Sequence, residues 1–273
     1  MRGEGNLTWQ PRQAAESSMA DRAPNVGPSS PSLPPSILKL QLLGGFQVTE
    51  GGRSIDLPND AQKLVAFLAL QTREVPRPFA AGRLWLDSDQ DRALGNLRSA
   101  LWRIRQRTHS LVSCQGDTLG ISPDVEIDFQ HLNRTAIMLF HESNTIRDQD
   151  LSIEPFIYEL LPGWYDDWTL IERERVRQVS VHALEVIADH LTALGRNPEA
   201  VDAALAAIRF DPLRESAHRC LIRIHIREGN RSEALRQFAL YRGLLECELG
   251  ITPSVALIRL IETITDQSLV GSE

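Results

Sequence analysis

The sequence lacks the features typical of secreted, membrane and metal-binding proteins. Its three cysteines, Cys114, Cys220 and Cys247, lie far apart and follow no disulfide or zinc-ligand spacing. No apolar run approaches the roughly 18 residues of a membrane span, and the amino terminus lacks the apolar core of a secretory signal. We therefore expect a cytoplasmic protein with no membrane partner, no metal and no cofactor.

Motifs of catalysis are also missing. No Walker loop, dinucleotide-binding loop, Ser/His/Asp set or pair of catalytic carboxylates can be found. The histidine pairs His182/His190 and His218/His225 lack the i, i+4 spacing of two metal ligands on one helix. We expect no catalytic residues and no enzymatic activity, with an enzyme whose site the sequence does not reveal as an open alternative.

Charge is unevenly distributed along the chain, whose net charge is −7. Residues 39–127 hold eleven basic and ten acidic side chains, whereas residues 128–273 hold fifteen basic and twenty-three acidic ones. The basic charge of the first half is concentrated between Arg98 and Arg107, where no acidic residue occurs. Such a distribution is typical of a DNA reader joined to a protein-binding module.

Composition and patterning divide the chain into three regions. Residues 1–37 are rich in Pro, Ser, Gly and Ala and predict a flexible tail. Residues 38–127 predict a winged helix. Its expected elements are short antiparallel strands around Leu38–Val48 and Arg53–Leu57, a helix capped by Asn59 that runs to about Leu70, a helix between Phe79 and Leu86 with Leu84 and Trp85 in the core, a third helix at Asp87–Thr108, and a hairpin that turns at Gln115-Gly116-Asp117.

The third helix has the patterning of a DNA recognition helix. A predicted buried stripe is formed by Leu94, Leu97, Leu101 and Ile104. At about 100° per residue, the opposite face carries Arg92, Asn96, Ser99, Arg103 and Arg107, with Arg98 and Arg105 on its flank.

Arg and Asn side chains can hold guanine and adenine edges bidentately in the major groove, and further arginines can neutralise phosphates. We predict base contacts for Arg92, Asn96, Ser99 and Arg103, and phosphate contacts for Arg98, Arg105 and Arg107. A merely solvated helix face is the alternative, and a carboxylate within the domain could instead anchor Arg98.

The second half, residues 128–273, predicts an all-α domain with an internal repeat. At a shift of 34 residues, Gly195 aligns with Gly229 and Ala200 with Ala234. Thirty-four residues is the tetratricopeptide period, and stacked helix pairs of this kind form a concave protein-binding surface. The aromatic and acidic cluster at residues 164–168 is interpreted as core and cap. The fold class expected is therefore mainly α, with a winged helix (α+β) followed by tetratricopeptide-like helices.

Several motifs in the same order resemble the Streptomyces antibiotic regulatory protein family of transcriptional activators. They are residues 42–46 (LLGGF), Leu84-Trp85, residues 96–105 (NLRSALWRIR), residues 160–168 (LLPGWYDDW), residues 172–175 (ERER), residues 211–218 (DPLRESAH) and residues 248–254 (ELGITPS). The resemblance implies a winged helix followed by a bacterial transcriptional activation domain. It also implies binding to promoter direct repeats in double-stranded DNA, often by two molecules side by side as a homodimer on DNA, and recruitment of RNA polymerase.

The sequence departs from the family pattern at three places. Arg77-Pro78 replaces the usual Ser or Thr cap of the second helix, and Leu86 stands where a proline is usual, which puts the packing of that helix in doubt. Trp102 occupies a position that is commonly small or polar, and we expect it to pack against the hairpin. The alternative function is a tetratricopeptide-type adaptor whose winged helix no longer reads DNA.

Overall fold

The computed structural model describes residues 37–141 and 146–270. Residues 1–36 of the predicted tail lie outside the described residues. The strands are β1 (Leu38–Gln41), β2 (Gln47–Glu50), β3 (Arg53–Ser54), β4 (Val75–Pro76), β5 (Val112–Gln115), β6 (Thr118–Ile121) and β7 (Val125–Ile127). The helices are α1 (Asn59–Leu70), α2 (Arg77–Leu84), α3 (Gln90–Arg107), α4 (Asp128–His141), α5 (Asp167–Ala193), α6 (Asn197–Phe210), α7 (Glu215–Arg227), α8 (Arg231–Leu249) and α9 (Val255–Val270).

The strands form two small sheets. The amino-terminal sheet has the order β3-β2-β1-β7, with β1 antiparallel to β2 and parallel to β7. Along β1, Leu38 and Leu40 are buried while Lys39 and Gln41 are exposed, so one face of the sheet covers the core. The second sheet, β4-β6-β5, contains the hairpin. Strands thus form within both predicted stretches, although β3 ends at Ser54 rather than Leu57, and β4 and β7 are added to them.

Helix α1 has the predicted bounds, but the predicted cap is wrong. Pro58 is the N-cap, and Asn59 is already helical. The side chain of Gln62 donates a 2.7 Å hydrogen bond to the carbonyl of Leu57 instead of closing a capping box with Asn59. A proline suits this position because it has no backbone N–H to leave unpaired.

Helix α2 forms despite the departures from the family pattern. Pro78 lies in its first turn, where the missing N–H of proline costs no intrahelical bond. Ala80 and Ala81 are buried, whereas the predicted core residues Leu84 and Trp85 are only half-buried. Small side chains on this face let α2 lie close to the neighbouring helices.

The hairpin of β5 and β6 has the predicted turn. Cys114 pairs with Leu119 and Gln115 with Thr118, which leaves Gly116 and Asp117 as a two-residue loop. Gly116 has a φ of +58°, a left-handed conformation that favours glycine at such turns. The order of strands, three helices and hairpin is that of a winged helix, so the predicted fold class is confirmed for this half.

The second half is helical and repeats its geometry. Gly195 follows α5 with a φ of +76°, and Gly229 follows α7 with a φ of +77°. Ala200 in α6 and Ala234 in α8 are both fully buried, which lets the helices of each pair approach closely. The 34-residue repeat predicted from sequence is therefore present as two matching helix pairs, α5–α6 and α7–α8.

The winged helix and the helices that follow share one hydrophobic core, which extends from Leu38 to Ile224. At their junction, the carboxylate of Asp128 accepts backbone N–H bonds of 2.9, 2.9 and 2.6 Å from Leu42, Leu43 and Phe129. Burial raises the pKa of Asp128 from its ordinary value, although these three donors favour the anion. The predicted boundary between residues 127 and 128 stays a prediction.

Candidate nucleic-acid interface

Helix α3 begins three residues later than predicted. Asp89 is the N-cap, and its carboxylate accepts a 2.8 Å hydrogen bond from the backbone N–H of Arg92. Asp91 follows in the first turn, where a negative charge is favourable to the helix dipole. The three acidic residues before Arg92 therefore define the start of the helix, and none lies on it beyond the first turn.

The buried side of α3 is wider than the leucine pattern predicts. Leu97, Leu101 and Ile104 are buried as expected, but Leu94 is only half-buried. Ala93 and Ala100 complete the buried side, at 3% and 0% exposure. Because both alanines lie on one flank of the leucine stripe, the outward face is rotated away from them.

The outward side of α3 consists of four rows whose members are seven residues apart, which places them nearly one above another. Counted from the hairpin towards α1, the rows are Arg98 and Arg105, then Gly95 and Trp102, then Arg92, Ser99 and Gln106, then Asn96 and Arg103. Arg107 is exposed at the carboxyl end of the helix. The two middle rows lie directly opposite the buried side.

Sequence reasoning therefore missed two members of the outward face, Trp102 and Gln106. Trp102 is 62% exposed, so the expectation that it packs against the hairpin is wrong. Together with Gly95, Arg98, Ser99 and Arg103 it lines a shallow concavity in the helix surface. Counting Ala93 and Ala100 as core would have predicted this rotation.

The edge of the face next to α1 carries an ion pair. Arg103 Nη1 lies 2.5 Å from Asp60 Oδ2, and their side chains are 45% and 27% exposed. The anchoring carboxylate considered for Arg98 thus belongs to Arg103 instead. Among the described residues, Arg98 has no ion-pair partner, so its charge is available to an outside anion.

The edge next to the hairpin is cationic through α3 alone. Arg105 Nη2 lies 3.5 Å from Cys114 Sγ, which places the Arg105 guanidinium beside β5. Residues 111–121 contain no lysine or arginine, and the turn carries Asp117. The carbonyl of Asp117 accepts a 2.9 Å bond from the backbone N–H of Arg77, so the hairpin is tied to the start of α2.

The geometry combines a winged helix, an outward helix face with cations on both edges, and an attached helical repeat. Residues 146–265 match the family model described as the bacterial transcriptional activator domain. Residues 146–265 are called the activator domain after this match. The activation domain implied by the resemblance to the Streptomyces antibiotic regulatory protein family is thereby confirmed for these residues.

The fold also has a counterpart among solved structures. The chain superimposes on Mycobacterium tuberculosis EmbR, determined in complex with a low-affinity phosphopeptide, with a TM-score of 0.69 and 20% sequence identity. The match covers 85% of this chain and 66% of the EmbR chain. At this identity the likeness shows the shared fold of winged helix and helical domain. No curated protein sequence matches the chain significantly.

The activator domain contains the aromatic cluster at residues 164–168 that is predicted to be structural. Trp164 stacks on Phe46 with ring centroids 5.9 Å apart, and Trp168 is buried edge-on to Phe67 at 5.6 Å. Asp166 is the N-cap of α5, and its carboxylate accepts a 2.8 Å hydrogen bond from Lys63 Nζ. The cluster therefore fastens the activator domain to the loop before β2 and to α1.

Charged side chains inside the activator domain pair with one another. Arg214 Nε lies 3.0 Å from Glu185 Oε1, with side chains 18% and 16% exposed, and Arg223 Nη2 lies 2.5 Å from Asp189 Oδ1. No group of three or more metal-ligating side chains is present in residues 37–141 and 146–270. Within the same residues, no helix is long and apolar enough to span a membrane.

Proposed function

We propose that this protein is a sequence-specific DNA-binding transcriptional activator. Helix α3 enters the major groove, and the hairpin lies beside the adjacent backbone. The observation that carries the proposal is the outward face of α3, which has no acidic residue beyond the first turn, has arginines along its edges and is presented by a winged helix. The match of residues 146–265 to the activator domain supports a role in transcriptional regulation rather than in catalysis.

The side chains divide into two kinds of contact. Arg92, Asn96, Ser99 and Arg103 contact base edges, and Arg98, Arg105 and Arg107 contact phosphates. Arg103 keeps free donors because a guanidinium carries five N–H groups and the bond to Asp60 uses only part of them.

The resemblance to the Streptomyces antibiotic regulatory protein family implies how the two halves of the chain share the work. Residues 38–127 bind double-stranded DNA as one of two copies on a promoter direct repeat, and residues 128–273 recruit RNA polymerase. The protein acts in the cytoplasm without a cofactor. The acidic second half supports this division because it would repel DNA and leave the contact to α3.

The test is DNA selection and footprinting. Full-length protein is used to select duplexes from a randomised pool, and the selected sequence is footprinted and titrated at several salt concentrations. We expect a defined protected sequence and an affinity that falls with salt with a slope of about −0.9 per phosphate contact. Selection of no sequence, together with salt-independent binding, would contradict the proposal.

A matched pair of arginine variants locates the contact. Arg98→Ala, on the face of α3, should weaken binding to all duplexes. Arg236→Ala, on α8 with a side chain 71% exposed, is the control and should leave binding unchanged. Equal losses in both variants would place the DNA contact outside α3.

A further inference from the structure

Trp102 is an exposed aromatic side chain in the middle of the proposed DNA-binding face. Its chain neighbour Leu101 and the nearby Ile104 supply the core contacts of this helix turn, at 6% and 1% exposure. Trp102 itself is 62% exposed, while the other described tryptophans, Trp85, Trp164 and Trp168, are half-buried or buried. The indole therefore does little for the fold, and its exposure to water is unfavourable in the free protein.

The surroundings of Trp102 leave room for a base edge. Gly95 lies seven residues before Trp102, on the same side of α3. A Cβ placed on Gly95 would meet only the end of the Arg98 side chain, at 3.7 Å. Ser99 is small, and its hydroxyl is occupied by a 3.0 Å bond to the carbonyl of Gly95. A duplex can thus approach the indole closely, between Arg98 on one side and Arg103 on the other.

The major groove offers one apolar group, the C5-methyl of thymine. An indole face cannot replace the hydrogen bonds that water makes with the polar groups of the other bases, so it favours a thymine at the position it covers. We propose that Trp102 is a specificity-determining residue that packs on a thymine methyl group in the major groove. This inference rests on the proposed function and adds a base preference to it.

The experiment is a protein–DNA thermodynamic cycle. Each thymine of the selected duplex is replaced in turn by uracil, which removes the methyl group and keeps the base pair. Wild-type protein should lose about fourfold in affinity at one thymine, the effect of one buried methyl group. Trp102→Ala should bind the thymine duplex more weakly than wild type and show no further loss at that position when uracil replaces thymine.

Controls separate this inference from the function on which it rests. Trp102→Ala should unfold at the wild-type temperature, because the side chain is exposed, and Trp102→Phe should retain part of the uracil effect. Selective wild-type binding with the full uracil penalty retained in Trp102→Ala would overturn the role of Trp102 alone. The role of Trp102 would also be overturned if Trp102→Ala bound a single site as wild type does and lost only the binding of a second copy to a two-site duplex. Failure of wild type to select any sequence would overturn the DNA-binding function as well.

Discussion

Helix α3 and the contact between α5 and α7 use arginine in opposite ways. On α3, Arg98 and Arg105 have no carboxylate partner among the described residues. At the α5–α7 contact, Arg214 and Arg223 are paired with carboxylates of the neighbouring helix. These ion pairs hold the two helices in register, and the carboxylates offset the arginine charges that would otherwise attract an outside anion. The comparison indicates which cationic surface of this protein remains available to a nucleic acid.

The distribution of carboxylates produces this difference. Helix α5 presents Glu185 and Asp189 four residues apart, on one face, towards α7. Among the described residues, the one ion pair of an α3 arginine joins Arg103 to Asp60, and the acidic residues of α3 itself are confined to its first turn. The winged helix therefore leaves most of its arginines unneutralised, whereas the acidic activator domain neutralises the two at its helix contact.

The largest expected effect is the loss of a paired arginine. Arg214→Ala leaves the carboxylate of Glu185, only 16% exposed, with the hydroxyl of Ser216 as its remaining hydrogen-bond donor and His182 Nδ1 at 3.8 Å. We expect the free energy of unfolding to fall by about 2–3 kcal/mol, because an uncompensated charge stays in a mostly buried position. Urea denaturation measures the loss, and DNA affinity of the folded variant should be unchanged.

Arg236→Ala serves again as the matched control. Its partner is Glu233, and both side chains are well exposed, so we expect a change below about 0.5 kcal/mol. If both variants lose the same stability, the Arg214 pair contributes no more than a surface pair and the contrast between the two regions disappears.

The next effect concerns the unpaired arginines of α3. Arg105→Ala and Arg107→Ala should each reduce the salt dependence of DNA binding by about one unit of log–log slope. Their unfolding free energy should stay within about 0.5 kcal/mol of wild type, because both side chains are exposed. Mobility shifts on selected and random duplexes provide the slopes. An unchanged slope in both variants would show that these arginines contact no phosphate.

Much of this architecture could be predicted from sequence, because it depends on local patterns. The helix bounds of α1 follow from its apolar spacing, and the repeat follows from Gly195 and Gly229, whose positive φ values permit the same turn twice. The antibiotic-regulator motifs predicted the order of domains. These features need only neighbours in the chain.

The failures have a different cause. The half-burial of Leu94 and the exposure of Trp102 depend on how α3 is rotated against α1, which two buried alanines determine. The pair of Arg103 with Asp60 joins residues 43 positions apart, and no pattern along the chain indicates it. Contacts of this kind are decided by packing, so the sequence predicted the arginine-bearing face of α3 but not the outward position of Trp102 and Gln106.

A smaller effect is expected at the one described arginine of α3 that is paired. Asp60→Asn removes the negative charge beside Arg103 and frees its guanidinium. We expect binding to random duplexes to strengthen by a few-fold, since one more cation faces the phosphates. Competition titrations with selected and random DNA measure both affinities. Weaker binding to both would mean that Asp60 holds Arg103 in its DNA-binding position, and the pair would then resemble those of α5 and α7.

The smallest effect concerns the access of a thiol reagent to the α5–α7 contact. Cys220 is 3% exposed on α7, and burial raises the pKa of its thiol to about 12, with Asp189 as a further cause. At pH 8 the thiol therefore stays protonated and should react with iodoacetamide far more slowly than the exposed Cys247.

Arg223→Ala removes the guanidinium that lies on Asp189 beside this thiol. Two consequences compete in this variant: the contact opens to the reagent, and Asp189, no longer neutralised, disfavours the thiolate more strongly. We expect opening to dominate, because Arg223 lies at the solvent side of the contact and Cys220 beneath it. Mass spectrometry of the labelled peptides should show a modest increase at Cys220 and none at Cys247. An unchanged or slower rate at Cys220 would mean that the Arg223–Asp189 ion pair balances charge and does not block the reagent. Helix packing alone would then exclude the reagent from the thiol.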